Sequence, residues 1–83
     1  MTLLDSAIAN LEKLMHCYSQ QCDQVNFHKT WLELLAYQDV RDGVPRWQRE
    51  MALHHADWRS LYAEHRVDAE LLAGHREERE SQP

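Results

Sequence analysis

Glycine and proline are nearly missing from this 83-residue chain. There are two of each, and one proline is the last residue. So few backbone breakers exclude a turn-rich β fold and favour long helices. Lysine is also scarce. Seven arginines accompany only two lysines, fourteen acids are interspersed among them, and the net charge is −5. A nucleic-acid binder carries a basic stripe and a basic balance, and neither is present, so no nucleic-acid partner is expected. The acids are also too dispersed to form the dense acidic face of a nucleic-acid mimic. No apolar run approaches the roughly 18 residues that span a bilayer, so no membrane insertion is expected. Met1–Asn10 lacks the basic start and small-residue end of a secretory signal, which makes a cytoplasmic protein the expectation.

Cysteine is limited to Cys17 and Cys22. On one helix they would point roughly 140° apart, so the reading is two reduced thiols, with Cys22 in the core. A Gly-rich phosphate loop, a nucleophile elbow, a Cys-x-x-Cys and a His-Glu-x-x-His are all absent. The serines have no triad context, and a small layer of helices offers little room for a pocket. The chain is therefore read as non-catalytic, with no cofactor and no metal.

What is present is helical pattern. Thr2 and Asp5 are spaced as a capping box. Leu4, Ile8, Leu11, Met15, Tyr18 and Cys22 then repeat at alternating spacings of four and three, an apolar stripe on one helix face. Phe27, Trp31, Leu34 and Leu35 form a second set, centred roughly 160° from the first. The intervening Ser19–Asn26 stretch is polar, and Asp23 or Asn26 can cap a new helix. A break or kink at residues 22–27 follows, with a straight helix bearing two contact faces as the alternative. Asp42-Gly43-Val44-Pro45 is the clearest turn. Gly43 suits a left-handed helix end, and Pro45 suits a first helical turn.

The last segment predicts one long helix with two stripes. Trp47, Met51, His54, Trp58, Leu61, Tyr62, His65, Ala69 and Leu72 fall within roughly 100° of arc. Leu53, Ala56, Ser60, Ala63, Val67 and Leu71 lie near the opposite side. The expected fold is all-α: a helical hairpin turning at Gly43, with a kinked or broken first arm and segments at about 3–22, 27–41 and 45–75. A compact three-helix bundle fits the same segments. Residues 1–75 form one domain, and 76–83 a charged tail expected to fray.

One packed arm covers only one of the two stripes, so a partner is implied. A homodimer closing into a helical bundle is one reading. Docking of a heterologous protein is the other, because Trp, Tyr and Arg are enriched at binding hot spots. The candidate partner-binding residues are Arg46, Trp47, Arg49, Leu53, Trp58, Arg59, Tyr62, Val67 and Leu71. The functional expectation is a small protein that binds another and regulates or inhibits it by occupying its surface. By association, such compact acidic helical chains are often phage or mobile-element factors acting on a host protein. A dedicated chaperone or a structural assembly subunit needs the same surface.

Six histidines raise a third reading, a metal- or pH-responsive bundle. Glu12/His16 and Glu50/His54 are four residues apart, one longer than the Glu-x-x-His spacing of di-metal bundles. A hairpin at Gly43 brings His65 towards Cys22, too few ligands for a structural zinc site. His54 and His65 on the seam are instead candidates for a pH-sensitive contact.

Overall fold

The computed structural model describes residues 2–81, with side chains through Gly74. Four helices account for most of it: α1 (Leu3–Gln20), α2 (Gln24–Asp42), α3 (Arg46–Met51) and α4 (Ala56–Ser81). No strand occurs among the described residues. The all-α fold with a broken first arm is therefore the fold of this protein. The side chains of the charged tail lie outside the described residues.

The capping box closes α1 as its spacing requires. The Thr2 hydroxyl accepts from the Asp5 amide at 3.0 Å, and the Asp5 carboxylate accepts from the Thr2 amide at 3.3 Å. Leu4, Ile8 and Leu11 are buried. At the far end the helix stops in a Schellman closure. Cys22 takes a left-handed φ of 57°, its amide donates to the Ser19 carbonyl at 3.2 Å, and the Asp23 amide donates to Tyr18 at 3.0 Å. The side chain of Asp23 then caps α2, accepting from the Asn26 amide at 3.2 Å. The break is thus a full reversal, and it excludes the straight-helix alternative. Cys22 is exposed, as is Cys17. It was expected in the core, but the left-handed turn carries it past the end of the stripe.

After the reversal α2 runs antiparallel to α1, with Arg41 near the C-terminus of one approaching Asp5 near the N-terminus of the other at 4.0 Å. It occupies the middle of the molecule, packed on both α1 and α4. That position explains why Thr30, Leu32, Leu34, Leu35, Ala36, Tyr37 and Asp39 are all buried, although they span more than one helix face.

The chain turns back at Gly43, which takes a left-handed φ of 68°. The segment expected as one helix over 45–75 is divided, because α3 ends at Met51 and α4 begins at Ala56. His54 donates its amide to Met51 at 3.1 Å, a tight last turn, and the His55 carbonyl accepts the first bonds of α4 from Trp58 and Arg59. Pro45, expected inside the first turn, stands one position earlier as the N-cap residue of α3. The second turn reverses direction once more. His28 lies against Trp58 at 5.4 Å between ring centroids, and further along both helices Asp39 approaches Arg66 at 4.0 Å. Partner numbers rise together, so α2 and α4 are parallel, where a single hairpin at Gly43 makes them antiparallel. The molecule is flattened, 48 × 28 × 16 Å.

Candidate functional site

Helix α4 divides as its sequence pattern predicts. Tyr62 and Ala69 are buried, and Trp58, Leu61, His65 and Leu72 are half-buried against the core. On the other side Ala56, Ser60, Ala63, Val67 and Leu71 are exposed, as is Leu53 just before the helix. Leu53 is 83% exposed, Leu71 66% and Val67 56%. At 100° per residue the two faces are centred roughly 170° apart. The outer face is therefore turned directly away from α2.

The inner face is held by a knot that sequence pattern did not reveal. Asp39 on α2 is 2% exposed. One of its carboxylate oxygens accepts from the Trp47 amide at 2.7 Å, from the Gln48 amide at 3.0 Å and from the Tyr62 hydroxyl. Pro45 has no side chain that can cap α3, so a carboxylate from α2 takes the orphan amides of its first turn. Arg66 stands 4.0 Å from the same oxygen and also reaches the Tyr62 hydroxyl at 3.5 Å. Burial, followed by the bond to Asp39, pushes the Tyr62 phenol up to about 12, so it remains a donor throughout the neutral range. The available signal was an acid in phase with an apolar face: Asp39 follows Leu32 and Leu35 at helical spacing.

The candidate partner-binding residues consequently divide. Arg46, Arg49, Leu53, Arg59, Val67 and Leu71 are at the surface. Trp47 and Trp58 are half-buried at the core's margin, and Tyr62 is 3% exposed with its hydroxyl committed to Asp39.

The histidines gather differently from the hairpin expectation. Trp58 has His28 at 5.4 Å on the α2 side and His54 at 5.5 Å from the preceding turn, with Trp31 edge-on at 6.3 Å. His54 faces Glu50 at 3.7 Å. Cys22 shares an open pocket of about 400 Å³ with Phe27 and His28 rather than with His65. His65 has Asp68 at 4.0 Å, and its Nδ1 has no hydrogen-bond partner among the described residues. Among the described residues no three His, Cys, Asp or Glu side chains converge as a metal-ligand set. A second open groove, about 390 Å³, runs between α2 and α4 past Val25, Lys29, Trp58 and Leu61. No described helix is long and apolar enough to cross a membrane.

Compared with protein-family models, curated proteins and solved structures, the chain matches none of them.

Proposed function

We propose that this chain is a non-catalytic binding protein that regulates or inhibits another protein by occupying its surface. The observation that carries the reading is the outer face of α4. Five residues in helical phase on α4, Ala56, Ser60, Ala63, Val67 and Leu71, are all exposed, as is Leu53 in the turn before it. Leu53, Val67 and Leu71 are large aliphatics whose burial stabilises by about 1.5–3 kcal/mol each. Contiguous apolar surface of this kind marks interaction sites. Arg59 on the flank of this face, and Arg46 and Arg49 on α3, are exposed, and arginine is the residue type most suited to a carboxylate-bearing partner. Self-association through the same face belongs to this reading, and so do a chaperone or assembly role, since each uses a contact surface and no chemistry.

The test is affinity capture from lysate of the native cell or host. The wild-type chain is compared with a variant combining Val67→Asp, Arg46→Glu and Arg49→Glu, whose fold is checked by circular dichroism. Proteins retained by the wild type should be lost from the variant, an effect of about 2 kcal/mol or more per central anchor. Equal recovery by both, with helicity intact, rules the reading out.

A further inference from the structure

We infer that the occupant of the α4 outer face is a second copy of this chain, packed so that the two α4 helices run parallel. The inference rests on the reading of this face as a contact surface and names what covers it. The face is open, because it points away from α2, and a second α4 can lie along it without displacing any helix. Its central line is Ala56, Ser60, Ala63 and Val67, at spacings of four, three and four. That is the a/d rhythm of a two-stranded coiled coil, and its small side chains let the axes approach closely.

Charge sets the direction. On the wheel Arg59 lies on one flank of this line and Glu64 on the other. Both are exposed, and neither forms an ion pair within the chain among the described residues. In a parallel pair a residue on one flank meets the partner's residue five positions on, the g-to-e′ relation that fixes orientation in coiled coils. Arg59 then meets Glu64 of the second copy, twice by symmetry. The next such pair is Arg66 with Leu71, which adds no repulsion. An antiparallel pair sets each flank against itself, Asp57 and Glu64 against acids and Arg59 against the arginine flank, while Arg66 is held by Asp39 and Glu70 of its own chain. Only the parallel arrangement brings opposite charges together.

The test uses the purified full chain alone, so its outcome is independent of target capture. Sedimentation equilibrium should show a dimer with a Kd below about 100 µM. Arg59→Glu and Glu64→Arg should each weaken it about tenfold or more, because both symmetric contacts become repulsive. Mixing the two variants should restore the dimer, since each copy then offers the charge the other needs. A wild-type chain that stays monomeric at that concentration overturns the inference. So do single variants that dimerise as well as wild type or better, and a mixture that stays as weak as its components. Restoration on mixing also excludes misfolding as the cause of the single-variant losses.

Discussion

Between Gln20 and Gln24 the chain reverses on local bonds alone, whereas between Asp42 and Ala56 it needs help from two other helices. Both passages begin with the same device. In each, a left-handed residue lets two amides return to the last carbonyls of the helix: Cys22 and Asp23 to Ser19 and Tyr18, Gly43 and Val44 to Val40 and Asp39. The first passage then restarts at once, because Asp23 is itself a cap. The second meets Pro45, which cannot cap, and the short α3 that follows is secured by Asp39 from the preceding helix. A local reversal needs only its own residues. A crossover that returns α4 parallel to α2 needs a tertiary anchor.

The largest expected effect follows from removing that anchor. Asp39→Ala leaves two amides of α3 and the Tyr62 hydroxyl without their shared acceptor, in a buried place. The expected loss is roughly 3–5 kcal/mol, since each buried unsatisfied group costs about 1–3 kcal/mol. Thermal melts and denaturant titrations read it directly. An unchanged midpoint removes the tertiary anchor from the comparison.

The left-handed positions give a smaller, paired effect of opposite sign. Cys22→Gly should stabilise by about 1 kcal/mol, because a side chain in this conformation costs about 1–2 kcal/mol, partly offset by glycine's greater freedom when unfolded. Gly43→Ala should destabilise by about 1 kcal/mol for the same reason. A Cβ at Gly43 meets nothing within 4 Å, so the strain is in the backbone alone. Equal signs for the two substitutions contradict the shared device.

The smallest effect concerns a third local closure, the cap of α1. The hydrogen bond from the Thr2 hydroxyl, then that from its backbone, holds the Asp5 carboxyl below its ordinary value. A carboxyl depressed by folding stabilises above its unfolded pKa and loses that contribution as pH falls through the folded value. Wild type should therefore exceed Asp5→Ala in melting temperature near neutrality, and the gap should close in acid. A gap that persists once the carboxyl is protonated assigns the stabilisation to something other than the charged cap.

The local features were legible in the sequence. Thr2 with Asp5, Asp23 as a cap, Gly43 as a left-handed stop and the two stripes of α4 each follow from spacing or from one residue's stereochemistry. The stop at Met51 was not. Ala52-Leu53-His54-His55 contains no breaker, and the inner stripe runs in phase from Met51 through His54 to Trp58. The break comes from the crossover, which the wheel does not describe. Tyr62 was grouped with the surface anchors because hot-spot composition is blind to depth, and its commitment to Asp39 depends on a residue 23 positions away. The parallel course of α2 and α4 escaped for the same reason. A turn at Gly43 implies a return, and only the unsignalled second turn undoes it.

Asp39 also bears on the order in which this chain can assemble. A six-residue helix is far below the length at which isolated helices persist in water. Without its borrowed cap, α3 has no stability of its own. Its amides find their acceptor only where α2 has formed, and the same oxygen is shared with a phenol from α4. The hairpin of α1 and α2 can form from neighbouring contacts, whereas α3 depends on a carboxylate that α2 brings to it. The cap of α3 and the docking of α4 are thus tied to one carboxylate oxygen, so that a change at Asp39 disturbs both together.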